Sequence, residues 1–314
     1  MPLDPVIAAI VENVNKGPAL SDGTPAESRA RLALGRSVLG AGPDMYSVDD
    51  HSVPGRGGAI RTRIFKPSEE VEGFIVFLHG GGWVLGSIED FDTYARALAA
   101  YSNCLVVLPD YRLAPEHRFP AGLQDAQDVM QWTADNRGKL GAENAPLIIA
   151  GDSAGGNLAT VVARHMIGDV DIALQVLYYP VADSNFDTLS YKTHGAGLPL
   201  KSRDMEWFFV HYASRNQWTN PDIAPLRSPD LSGMPPAIIV VAEYDVLHDE
   251  GVAYGEKLKN AGCAVTQRTG HGLTHGFIRL HNLCEPTLTE LQTVAREIRQ
   301  VCKAAQISSP NNQK

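Results

Sequence analysis

Residues 145–166 read APLIIAGDSAGGNLATVVARHM. The first six are apolar and short enough for a buried strand, and the stretch from Asn157 carries apolar residues at helical spacing. Between them Gly151, Ser153, Ala154, Gly155 and Gly156 put one hydroxyl among the smallest side chains. The pattern is G-x-S-x-G between a strand and a helix. Glycines are required there because a sharp strand-to-helix turn leaves no room for side chains on either flank. Such a turn holds Ser153 in a strained backbone conformation, exposed above the sheet with a helix N-terminus behind it. A phosphate-binding loop would need G-x-G-x-x-G or G-x-x-x-x-G-K-[ST], and neither occurs here.

The same alternation runs through the chain on both sides of this turn. "AIRTRIFKP" (59–67) alternates polar and apolar residues. "GFIVFLHG" (73–80), "CLVVLPD" (104–110), "ALQVLYYP" (173–180) and "PAIIVVAEYD" (236–245) are nearly continuous apolar runs, as parallel strands covered on both faces should be. Helical periodicity fills the gaps at 90–102, 121–136 and 249–262. This predicts an α/β fold with a mostly parallel central sheet flanked by helices. The first 45 residues read as helices: "PVIAAIVENV", then a helix opened by Thr24, Pro25 and Glu27 as a capping box and closed before Gly40. About fifty residues between two strands, including the aromatic helix "SRDMEWFFVHYASR" (202–215), form an insertion too long for an idle loop. The expected organisation is N-terminal cap helices at 1–45, a core at 46–182 and 229–306, a cap insertion at 183–228 and a flexible tail at 307–314.

Composition narrows the function. With 314 residues, 44% hydrophobic and a formal net charge of −9, the chain suits a soluble globular enzyme. The negative charge and the lack of any basic run argue against nucleic acid as a partner. No apolar run is long enough to span a bilayer, so stable membrane insertion is not expected. The four cysteines are scattered without CxxC pairs and the N-terminus has no basic leader, which together suggest reduced thiols and a cytoplasmic location.

A serine becomes a nucleophile only with a base to take its proton and an acid to orient that base. Asp245 ends the strand "AIIVVAEYD" at the carboxyl edge of the sheet, where sites of open α/β sheets gather. Asp249 and Glu250 compete for that role but read more simply as first-turn acids of the next helix. His275 in "GLTHGF" lies in a loop before the last helix, with His271 and His281 as alternatives. "HGGGW" (79–83) offers unscreened backbone N–H groups, so Gly81, Gly82 and Ala154 are the expected oxyanion donors. HExxH is absent and no carboxylate stands at ligand spacing, so neither a metal nor a cofactor is expected.

Taken together, "HGGGW", "DYRLAPE" (110–116), "GDSAGG" (151–156), "EYDVLHDEG" (243–251) and "HGF" (275–277) resemble the hormone-sensitive-lipase-like (bacterial family IV) carboxylesterases, a branch of the α/β-hydrolases. The resemblance runs from about residue 45 to residue 303. It implies an α/β-hydrolase fold with a two-part helical cap, a triad of Ser153, Asp245 and His275 in that chain order, and the same three oxyanion donors. It also implies preference for short- to medium-chain acyl esters, and frequent dimerisation through the last strand, here "AVTQRT". One departure is Val246, where the family usually has proline; its loss should slightly loosen the turn that carries Asp245. Asp110, Arg112 and Glu116 are expected to form a structural ion-pair network behind the oxyanion loop, and His79 to anchor that loop. Trp83, Trp207, Phe208, Phe209 and Tyr212 are candidate walls of the substrate pocket, or else aromatics that bury the cap against the body. Amide, lactone or carbamate hydrolysis, acyl transfer to an alcohol, and a ligand receptor without catalysis are the competing readings of the same residues.

Overall fold

A computed structural model describes residues 1–308. Eight strands, β1 (Ser47–Gly55), β2 (Gly58–Lys66), β3 (Gly73–Leu78), β4 (Cys104–Pro109), β5 (Leu147–Asp152), β6 (Ile172–Tyr178), β7 (Ala237–Tyr244) and β8 (Val265–Thr274), form one sheet. Their order is β1-β2-β4-β3-β5-β6-β7-β8; β2 runs antiparallel to both its neighbours and all other pairs are parallel. Nine α-helices accompany them among the described residues: α1 (Pro5–Asn15), α2 (Pro25–Leu34), α3 (Ile88–Ser102), α4 (Ala121–Asp135), α5 (Ala154–His165), α6 (Leu189–His194), α7 (Ser202–Tyr212), α8 (His248–Asn260) and α9 (Glu285–Ser308).

Every residue of β3, β4 and β5 is buried, which is why these strands are continuous apolar runs. Successive side chains serve opposite faces. Phe74, Val76 and Leu78 pack into a core with α4 and α5, through Leu123, Met130 and Leu158. Ile75 and Phe77 pack on the other face with Phe91, Leu98, Val294 and Ile298 of α3 and α9. The sheet is thus covered on both sides, as the alternation of strands and helices requires.

Three elements depart from the sequence reading. Strand β1, "SVDDHSVPG", has only Val53 fully buried; it is a polar edge strand held by its full register with β2 and so carries no apolar pattern to find. Helix α2 has the expected capping box, Thr24 and Glu27 each satisfying the other's backbone, but ends at Gly35 rather than before Gly40. Helix α9 continues through Ser308, so the start of the tail expected at 307–314 is helical, and residues 309–314 lie outside the described residues.

Both non-core segments gather over the carboxyl edge of the sheet and are tied to each other. Ser21 donates to the buried carboxylate of Asp204 on α7 through its N–H (3.0 Å) and its hydroxyl (2.6 Å). Arg203 pairs with Asp22 at 2.9 Å, and the Asn15 amide donates to the carbonyl of Gly197 at 2.7 Å. On the body side, Arg29 of α2 reaches the carbonyls of Val84 and Ala114 and the carboxylate of Glu116.

Candidate active site

Ser153 stands between β5 and α5 with φ 55° and ψ −119°. That conformation costs a non-glycine residue about 1–3 kcal/mol and persists only where the surroundings impose it. They do so here by close backbone approach. A Cβ on Gly155 would collide with the carbonyl oxygen of Leu78 at the end of β3, and one on Gly151 would strike the carbonyl of Gly155. The small residues around Ser153 therefore let the turn pack directly on the neighbouring strand.

β7 and β8 deliver two more groups to the same place. His275, the residue after β8, places Nε2 2.9 Å from the Ser153 hydroxyl and Nδ1 2.7 Å from Asp245 Oδ2. The Asp245 side chain is fully buried and its other oxygen accepts the Leu247 N–H at 3.0 Å. On the residue between, the Val246 carbonyl accepts the Ser190 hydroxyl at 2.7 Å, so the turn that carries Asp245 is tied by hydrogen bonds at two places. The alternative groups lie elsewhere. His271 is exposed beside Glu243, and His281 is buried with Nδ1 on the Ile278 carbonyl. Asp249 accepts the Ser190 N–H, and Glu250 accepts the N–H groups of Ala182 and Asp183.

The loop after β3 lies alongside, because β3 and β5 are adjacent in the sheet. Their connections leave in opposite directions, to β4 on one side and β6 on the other, which opens a crevice at their carboxyl ends. Gly81 and Gly82 have φ of 122° and 59°, and among the described residues no protein acceptor takes their N–H groups. Ala154 opens α5, and the first-turn N–H groups of a helix have no intrahelical partner. Among the described residues three backbone donors beside the Ser153 turn and in the glycine loop are thus left without a protein acceptor, and Gly81 and Gly82 line the same cavity as Ser153.

The loop is anchored from beneath. The buried His79 ring lies between Phe91 and Tyr111, at centroid distances of 5.3 and 4.4 Å, with Nδ1 on the Gly80 carbonyl. Burial lowers its pKa, so the ring is a neutral strut. Asp152 accepts the Gly80 N–H at 2.7 Å; burial lifts its carboxyl from 3.8 to about 6, against the pull of that hydrogen bond. The expected network of Asp110, Arg112 and Glu116 is instead three separate contacts. Arg112 grips the buried Asp125 of α4 through Nε and Nη2, one edge of its guanidinium, Glu116 pairs with Arg29, and Asp110 approaches Arg61 at 3.8 Å. The motif faces several layers at once, so its charges cannot meet one another.

The family model for the alpha/beta hydrolase fold matches residues 75–279. The chain belongs to the α/β-hydrolase family. Within it, the chain is 34% identical to the ethyl acetate hydrolase of Pseudomonas putida, over 96% of this chain and 99% of that one. It is 39% identical to the carboxylic ester hydrolase LipN of Mycobacterium tuberculosis, over 77% of this chain and 67% of that protein. Among solved structures, the hyperthermophilic esterase of Pyrobaculum calidifontis superposes with a TM-score of 0.91 at 36% identity, covering 97% of this chain and all of that one. These are the carboxylesterases that the five sequence blocks resemble.

As in other ligand sites, a concave cavity adjoins the reactive groups of this α/β-hydrolase, with a volume of about 310 Å³. Of the five aromatic residues expected in its wall, only Phe208 lines it, standing against Gly82. The other four do not. Trp83 stacks on Tyr212 (4.2 Å, 4° between planes) and meets Phe209 edge-on, all three fully buried; Trp207 packs on Phe208 and His211. Trp83, Phe209 and Tyr212 fasten α7 to the body, since a flat buried stack has no face left for a ligand, while the ring contacts of Trp207 stay within α7. Ile10 and Val14 of α1, with Leu20, Leu32 and Leu200, supply the apolar wall that the sequence reading missed. The signal was present in α1, whose apolar residues exceed what one buried stripe needs: Ile7 and Val11 enter the core, leaving Ile10 and Val14 for the cavity. Among the described residues no group of three or more His, Cys, Asp or Glu side chains is gathered as metal ligands.

Proposed function

We propose that Ser153, His275 and Asp245 are the catalytic triad through which this chain hydrolyses carboxylic esters. The observation that carries the assignment is the unbroken line of hydrogen bonds from Asp245 through His275 to Ser153, at 2.7 and 2.9 Å. Nδ1–H of His275 donates to Asp245, so Nε2 is the free lone pair facing the hydroxyl. As the Ser153 oxygen attacks the ester carbonyl, Nε2 takes its proton, and the buried carboxylate stabilises the imidazolium that forms. The N–H groups of Gly81, Gly82 and Ala154 receive the developing oxyanion without having to reorganise, which is where such donors lower the barrier most. The imidazolium returns its proton to the departing alcohol. Water, activated by the same histidine, then clears the acyl-enzyme.

The substrate reading is short- to medium-chain acyl esters. A cavity of about 310 Å³ lies at the small end of ligand sites, roughly 300–1,000 Å³, and the name of the Pseudomonas putida relative fits a small ester. The N-terminal helices and the 183–228 insertion act as a two-part cap over the site. The place of β8 at the sheet edge supports a homodimer through that strand, and the four free cysteines suit a cytoplasmic location. No helix among the described residues is long and apolar enough to cross a membrane.

The decisive experiment is Ser153→Ala assayed on p-nitrophenyl acetate. Turnover should fall by about 10⁴-fold or more while thermal unfolding stays close to wild type, the remainder being what the oxyanion donors and binding supply without a nucleophile. A loss of less than about 100-fold, with trace wild-type protein excluded, overturns the assignment.

A further inference from the structure

Resting on the ester-hydrolase reading, we propose that Arg279 is a specificity-determining residue that selects esters bearing a carboxylate group. Arg279 belongs to the single helical turn Phe277–Leu280 that follows His275, and it lines the same cavity as Ser153 and Gly82. Its guanidinium lies over the Phe91 ring, 5.2 Å from the centroid, and its Nε is buried without an acceptor.

What sets this arginine apart is that, although not exposed, its guanidinium has neither a closing acid nor a carbonyl acceptor among the described residues. Arg112 is clasped by Asp125, and Arg268 by Glu290 and Glu297 at 2.6 and 2.8 Å. Two acids bear on Arg279 through space, Asp90 and Asp152, but each is committed elsewhere. Asp90 is bonded by Arg36 at 2.8 Å and by the Ser87 hydroxyl at 2.9 Å, and Asp152 accepts the Gly80 N–H. Among the described residues no carboxylate forms an ion pair with Arg279. A guanidinium does not shed its proton, and one held away from bulk water with unfilled donors is costly unless a ligand supplies the acceptors. Burial accordingly pulls its pKa below the ordinary value.

A carboxylate is the anion that fits. Its two oxygens match the planar fork of a guanidinium bidentately. Its single charge is answered by one guanidinium, with Lys201 as a second cation on the cavity wall. Asp152 on the same wall repels any anion, but a doubly charged phosphate more strongly than a singly charged carboxylate. The remaining walls are largely apolar and suit the short chain that would join the carboxylate to the ester.

The test compares kcat/KM for two pairs of near-isosteric esters by titrating released acid above the pKa of the carboxylates. Ethyl hydrogen glutarate against ethyl 5-methylhexanoate places the charge on the acyl side. 3-Acetoxypropanoate against 3-methylbutyl acetate places it on the alcohol side. In at least one pair the anionic ester should be favoured about tenfold or more, as expected for a charge-assisted hydrogen bond, mainly through KM. The pair that shows it names the side. Arg279→Met should bring that ratio to one or below, and Arg279→Lys, a point charge without the fork, should leave it in between. Ratios at or below one in both pairs, or a preference that survives Arg279→Met, overturn the inference. If Arg279→Met fails to fold, the wild-type ratios and Arg279→Lys decide. Failure of the folded wild type on the neutral esters would count against the ester-hydrolase reading instead.

Discussion

Asp152 sits one residue before Ser153 and holds the glycine loop after β3 by a single hydrogen bond from Gly80. Its folded pKa of about 6, raised by burial from 3.8, makes the folded protein bind this proton more readily than the unfolded chain. The contribution of Asp152 to stability is therefore highest below about pH 4 and is lost as pH rises towards about 6, in all by roughly 3 kcal/mol. Asparagine can still accept the Gly80 N–H but does not titrate. The difference in unfolding free energy between wild type and Asp152→Asn should accordingly shift against the wild type as pH rises through that window, and then level off. Urea unfolding of both proteins across a pH series measures it, and a difference that stays flat would show that Asp152 is not held in this way. Such a role is invisible in "GDSAGG" alone. The turn could be read from the glycines, whereas the partner of Asp152 comes from a loop 72 residues away.

At the level of elements, α7 divides its aromatic residues between two tasks. Trp83 and Tyr212 form a buried stack that fixes the helix to the body, and Phe208 alone faces the cavity. Trp83→Ala should cost about 3–5 kcal/mol of stability, as for large buried aromatics elsewhere, with little change in the relative rates on different acyl chains. Phe208→Ala should do the reverse, enlarging the cavity and raising kcat/KM for octanoate relative to butyrate esters. Wild type should hydrolyse soluble butyrate faster than palmitate. Thermal unfolding and a chain-length series separate the two effects, and equal shifts in selectivity from both variants would contradict the division. Helical spacing placed α7 correctly in the sequence, but which face met the body depended on a partner across the fold. The same holds for α1, where two turns of apolar residues serve both core and cavity. β1 illustrates the opposite limit: a strand whose only strong demand is backbone pairing at an edge leaves no apolar trace.

Across the whole molecule, the sheet order brings together groups far apart in the chain. β3, β5, β7 and β8 end at the same edge and deliver the glycine loop, Ser153, Asp245 and His275. The core strands were legible because burial on both faces demands continuous apolar runs. The meeting of Ser153, Asp245 and His275 was legible because five motifs kept their order. The segments outside the core were less so: the proposed cap rests on an interruption of the strand–helix rhythm, and its contacts, such as Ser21 with Asp204, span more than 180 residues. At the other end of the sheet, β8 is an edge strand, partly covered where Asp4 donates to the Gly272 carbonyl. Light scattering should return a dimer, and a proline placed at Gln267 should return monomers; a wild-type monomer at micromolar concentration would remove this part of the account.

All of this turns on Ser153 being the nucleophile. The direct measurement is labelling by diethyl p-nitrophenyl phosphate followed by peptide mass spectrometry. The account predicts one diethylphosphoryl group per chain, on the peptide containing Ser153, gained in step with the loss of esterase activity. Complete inactivation with Ser153 unmodified, or full labelling of Ser153 with activity retained, would contradict it.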